Sequence, residues 1–113
     1  MVDDEEDILI VLKTYLSNQG YDVRVTLTCD EGLEIFYQFK PDMVLIDVNV
    51  GASDGRVMCK TIAKQATYAN IPITLMSADR SNLLQFEDHG AKSVLEKPFD
   101  LPFVLSTVKN HLT

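Results

Sequence analysis

The sequence has no tryptophan, only two cysteines, and no apolar run approaching the roughly 20 residues needed to cross a bilayer as a helix. A helical membrane span is excluded on length alone. Cys29 and Cys59 lie far apart without a C-x-x-C spacing, so neither a zinc site nor a disulfide framework is indicated, and two reduced, mostly buried thiols are expected. The four prolines and five glycines gather in no linker-like tract, and no repeat or low-complexity segment interrupts the chain. Positive charge is scarce as well. Ten lysines and arginines against 17 aspartates and glutamates give a net charge of -7, which opposes attraction to nucleic-acid phosphates and anionic membranes. The acidic start reverses the charge of a signal peptide, so a cytoplasmic protein is expected.

What is present is a balanced apolar fraction over 113 residues, which suits one domain, 1–113, with its own core. Apolar runs of strand length alternate with stretches of helical period, the pattern of βαβ units around a parallel sheet. "EEDILIVLKTYLSNQG" is helix-like, with Ile8, Val11, Leu12 and Tyr15 at one-face spacing and Gly20 as its stop. "YDVRVTL" alternates as an edge strand. Thr28 and Glu31 have capping-box spacing ahead of a helix that Pro41 closes. "DMVLID" is almost wholly apolar, as a strand buried on both faces would be. The loop "VNVGASDG" leads to a helix over "RVMCKTIAKQA". Then come a buried strand "IPITLMS", a short helix "SNLLQFEDHG", a strand "KSVLEKP" and a last helix that Asp100 can cap, with Pro102 in its first turn.

Four apolar runs end in polar residues suited to phosphoryl transfer: Asp3 and Asp4, Asp47, Ser77, and Lys97. In an open α/β sheet, ligands bind outside the carboxyl ends of the strands, so neighbouring strands would bring these side chains to one crevice. Three carboxylates do not ionise together cheaply without a cation, and an all-oxygen donor set suits a hard metal such as magnesium. Asp47 is then available as a nucleophile toward phosphorus, with the metal, Ser77 and Lys97 neutralising the phosphoryl oxygens.

"VDDEEDI", "PDMVLIDVNVGASDG", "ITLMSA" and "EKPF", in this order, resemble the receiver domain of two-component response regulators over essentially the whole chain. The resemblance implies a flavodoxin-like, doubly wound, five-stranded parallel sheet of order 2-1-3-4-5. It implies that Asp47 is the phosphoacceptor, Asp4 a direct magnesium ligand and Asp3 its neighbour acting mainly through water. Asn49 would bind the metal through its backbone carbonyl, with manganese as a substitute ion. Ser77 would hydrogen-bond the phosphoryl group and Lys97 pair with it, while Pro98 follows a cis peptide bond. Asn49 and Asp79 stand at the two variable positions that tune phosphoryl lifetime. A sensor histidine kinase or histidine phosphotransfer protein is implied as donor. A downstream protein or missing output domain is implied as receiver of the signal, with no direct nucleic-acid or membrane binding. Such a chain is a self-phosphorylating switch with autophosphatase activity, not a turnover enzyme.

The chain departs from the pattern at three places. Only Met1 and Val2 precede the acidic pair, so the first strand is unusually short, unpaired backbone groups are expected, and a start further upstream is suspected. Gly51 stands where proline is common, and Val94 where many receivers carry a switching aromatic ring. These departures motivate a rival, a receiver-like interaction module that is never phosphorylated. A small aspartate-nucleophile phosphatase is the other, although it would want a second carboxylate where Asn49 sits.

Several residues have local explanations. Glu5, Glu6 and Asp7 read as the charged first turn of a helix. His89 and His111 lie near helix C-termini, where an imidazolium is favoured, and neither is given a relay or metal role. Cys59 reads as packing. Leu9 and Ile10, beside the inward stripe of the first helix, are the candidates for kinase docking.

Overall fold

The structure is a computed structural model, and it describes residues 1–112. In chain order these form α1 (Glu6–Asn18), α2 (Cys29–Phe39), β1 (Val44–Asp47), the two-residue strands β2 (Asn49–Val50) and β3 (Ser53–Asp54), α3 (Gly55–Ala63), β4 (Ile73–Ser77), β5 (Ser93–Glu96) and α4 (Leu101–Leu112). Three 3-10 turns, at Ala66–Tyr68, Arg80–Leu83 and Phe86–His89, complete the connections. None of the described helices is long and apolar enough to cross a membrane.

The sheet is parallel, in the order β1-β4-β5, with Val44 opposite Ile73 and Ser77 opposite Glu96. Successive side chains on a strand point to opposite faces, so β1 feeds two cores. Val44 and Ile46 join Phe36, Met58 and Ile62 under α2 and α3, whereas Leu45 joins Leu12, Leu16 and Val108 under α1 and α4. Burial on both faces accounts for the nearly continuous apolar run of β1, and each such side chain contributes roughly 1.5–3 kcal/mol. Helix starts follow the expected chemistry. Thr28 accepts from the Glu31 N–H at 3.2 Å, Asp54 from Arg56 at 2.9 Å, and Asp100 from Phe103 at 2.7 Å.

The first two strands of the expected five are reduced to single parallel bridges, Val2 with Ile46 and Val2 with Thr26. "YDVRVTL" is therefore no strand beyond Thr26. The pairing beside it is the single bridge to Val2, too short to count as a ladder. The stub itself is fully paired: Val2 donates to the Leu45 carbonyl at 2.9 Å, Asp47 to Val2 at 2.9 Å, and Thr26 to Met1 at 2.9 Å. The Met1 ammonium donates to the Arg24 carbonyl at 2.7 Å, and burial lowers its pKa to about 6. Beside it opens a cleft of about 360 Å3, lined in part by Tyr21, Val23, Met43 and Leu45.

Other boundaries shift too. The inward face of α1 is Leu9, Leu12 and Leu16, so Leu9 is core, while Ile10 and Val11 are each more than half exposed. In "ILIVL" every frame offers an apolar stripe, and packing chooses among them. The expected helix over 81–90 is two 3-10 turns, because Leu84 is extended and Gln85 is left-handed (φ 56°), which breaks any longer ladder. The helix expected over 56–66 stops at Ala63. Cys59 is fully buried, its thiol pushed up to about 11 by burial, whereas Cys29 is only half-buried.

Candidate active site

The carboxyl ends of the strands meet at one corner. Asp47 ends β1 and Ser77 ends β4, and the Lys97 N–H donates to the Ser77 carbonyl at 2.9 Å, drawing the chain after β5 alongside. Lys97 then turns its ammonium into the crevice beside Asp3 and Asp47, and all three residues are buried. The ammonium donates to Asp3 Oδ2 at 2.7 Å, to Glu5 Oε1 at 3.0 Å and to Asp47 Oδ2. The other carboxylate oxygens are held by main chain: Asp3 Oδ1 accepts from the Glu5 N–H at 2.9 Å, and Asp47 Oδ1 from the Asn49 N–H at 2.7 Å. Among the described residues no buried side-chain polar atom lacks a partner.

This burial has electrostatic consequences. Desolvation raises the Asp3 carboxyl above its ordinary range, against the opposing hydrogen bond from Lys97. Desolvation pulls Lys97 down, but its hydrogen bonds to Asp3, Asp47 and Glu5 outweigh this and hold it above the ordinary lysine range. Lys97 therefore stays an ammonium at any working pH. Carboxylate oxygens of Asp3, Glu5 and Asp47 lie within 4.8 Å of one another, an acidic cluster of hard donors.

Glu5 is the residue that sequence reasoning missed. It precedes α1 as its N-cap instead of sitting in the first turn, which carries Glu6 and Asp7, and its carboxylate reaches Lys97. Asp4 points elsewhere. It is exposed, outside the cluster, and its Oδ2 accepts from the Gly51 N–H at 2.8 Å. Gly51 has φ +60°, a conformation closed to proline, which also has no N–H to donate. Gly55, a second omission, donates to the Val48 carbonyl at 2.7 Å, and a Cβ on it would lie 1.9 Å from the Asp47 carbonyl oxygen. Only glycine fits there.

Around this centre, the buried Ser77 Oγ accepts from the Asp79 N–H at 3.0 Å. Asp79 is exposed and opens the 80–83 turn, its carboxyl held below the ordinary range by the Ser81 hydroxyl and N–H. The Lys97–Pro98 peptide is cis, as the resemblance implied. Asn49 begins the β2–β3 hairpin, and Val94 packs half-buried on the α3 side of the sheet. Neither histidine enters the acidic cluster; His111 Nε2 lies 2.9 Å from Ser93 Oγ, itself 2.8 Å from Thr74 Oγ1.

The family model for the response regulator receiver domain matches residues 1–109. The chain belongs to that family. A receiver domain is the switch of a response regulator in two-component signalling, and the site just described lies where the strand ends of this one converge. The transcriptional regulatory protein YxdJ of Bacillus subtilis is 34% identical over 112 residues, covering 99% of this chain and 48% of the relative. The receiver domain thus spans about half the length of the relatives it matches. Among solved structures, the chemotaxis response regulator CheY4 of Vibrio cholerae aligns with a TM-score of 0.90 at 26% identity, covering 98% of this chain and 94% of that one. The receiver domain of NtrX from Brucella abortus aligns with a TM-score of 0.89 at 25% identity, covering 98% and 94%.

Proposed function

We propose that this receiver domain accepts a phosphoryl group on Asp47 and acts as a phosphorylation-dependent switch. The observation that carries the reading is the Asp47 carboxylate, 5% exposed at a strand end, with an ammonium on one oxygen and a main-chain N–H on the other. An isolated carboxylate is costly there, and a nucleophile held in position is the functional reason to retain it. The donor is the phosphohistidine of a sensor kinase or histidine phosphotransfer protein. An Asp47 oxygen attacks phosphorus; the new O–P bond forms as the P–N bond breaks, and the electron pair stays on the imidazole nitrogen. Lys97 and the Ser77 hydroxyl neutralise and orient the phosphoryl oxygens. Slow hydrolysis of the aspartyl phosphate by the same domain resets the switch.

The donor set fits magnesium, or manganese in its place. Asp3 and Asp47 supply hard oxygens in one region of negative charge, and the family resemblance adds Asp4 and the Asn49 carbonyl. When bound, the ion supplies positive charge beside the transferring oxygens. The output passes to a protein or joined unit, which the greater length of the transcriptional regulatory protein YxdJ supports. With a net charge of -7 this domain is not itself the nucleic-acid contact, and we place it in the cytoplasm. Incubation with magnesium and acetyl phosphate, read by intact mass, tests the proposal. A phosphoryl adduct abolished by Asp47→Asn is expected. Folded protein without an adduct overturns the reading in favour of an unphosphorylated interaction module, and steady turnover of phosphate esters in favour of a phosphatase.

A further inference from the structure

We propose that Glu5 is a positioning residue that occupies one donor of Lys97 until a phosphoryl oxygen displaces it. The inference rests on the reading of Asp47 as phosphoacceptor. An ammonium has three N–H donors, and here Asp3, Asp47 and Glu5 use them all. A phosphoryl oxygen on Asp47 therefore reaches Lys97 only by replacing one of the three.

The three contacts differ in what their release costs. Asp3 is 0% exposed, its other oxygen is fixed by the Glu5 N–H, and losing Lys97 would strand a buried charge. Asp47 is the acceptor itself, fixed by Asn49. Glu5 is 58% exposed and makes the longest of the three contacts to the ammonium, so water replaces its hydrogen bond at little cost. It also has a favourable second position. At the N-cap of α1 its side chain accepts no capping hydrogen bond, and a free carboxylate there lies in the positive field of the helix start. Glu5 is the contact that leaves. Lys97 is thus held in place before the phosphoryl group arrives, and the carboxylate competes with anionic donors for it.

The test uses the full chain with magnesium and acetyl phosphate, where the Asp47 O–P bond forms, the P–O bond to acetate breaks, and acetate leaves with the electron pair. Glu5→Gln and Glu5→Ala are expected to lower the donor concentration for half-maximal rate by about two- to fivefold, the range of an exposed ion pair, with less change in maximal rate. The Lys97 ammonium resonance supplies a readout that a merely structural role would not move. Wild type and Glu5→Ala should differ in the free protein and coincide when excess acetyl phosphate keeps Asp47 phosphorylated. Unchanged kinetics in both variants, or an equal difference in both states, overturns the inference while leaving Asp47 phosphorylation intact. Absence of phosphorylation in wild type overturns the underlying reading too, and is seen without any variant.

Discussion

The Gly51 N–H donates to the Asp4 carboxylate across 47 residues of sequence at 2.8 Å, tying the loop after Asp47 to the acidic segment before α1. Two properties of Gly51 make this contact, its N–H and its φ of +60°. Gly51→Pro removes both. It should destabilise the domain by about 1–3 kcal/mol, the cost of forcing a residue where its backbone does not fit. Urea unfolding of the two proteins at one pH measures the difference. Equal midpoints would mean that the loop readjusts without cost.

Lys97 neutralises two buried carboxylates, Asp3 and Asp47. Replacing it with methionine keeps most of the apolar stem and leaves both charges uncompensated, so a loss of about 3–5 kcal/mol is expected. Adding Asp3→Asn to Lys97→Met should recover part of the loss, since it removes one stranded charge. A double-mutant cycle by chemical denaturation checks the coupling. Strict additivity would contradict the direct contact.

The Met1 ammonium gives the domain a pH dependence near neutrality. Its pKa falls from 8.0 to about 6 on folding because of burial, so between these values the unfolded chain binds more protons than the native one. Stability therefore rises as pH increases from 6 to 8 and falls in the opposite direction. Midpoints of urea unfolding at pH 6 and pH 8 test the sign, with an N-acetylated chain as control. The acetylated protein should lose most of this slope, and an undiminished slope would assign it to other groups.

Extending Met1 at its N-terminus by three or four β-branched residues should fill the 360 Å3 cleft and lengthen the Val2 bridges into ladders. Removing the buried ammonium works in the same direction. A higher thermal midpoint is expected, together with slower hydrogen exchange at Arg24 and Leu45. An unchanged midpoint would argue that the cleft does not accept a strand.

The alternation of strands and helices was legible because apolar runs bounded by polar ends have few other uses, and β1, β4 and β5 fall within the stretches read for them. The convergence of Asp3, Asp47 and Lys97 was legible for a related reason, since each stands at or just beyond the end of an apolar run. Glu5 was hidden by a sufficient local explanation. Its partner lies 92 residues away, and an acid near a helix start requires nothing more to account for it. Nor could composition reveal that Gln85 adopts φ 56° and splits the expected helix, or that packing would select Leu9 over Val11 for the core.

Gly55 has a meaning in genetic terms. Every other amino acid adds a Cβ, and that atom would fall on the main chain of the residue read as the phosphoacceptor. No codon change to a different amino acid is neutral at this position, however mild it looks on a substitution scale. In a saturation screen, Gly55 should group with Asp47 and Lys97 among the intolerant positions, although it carries no chemistry of its own.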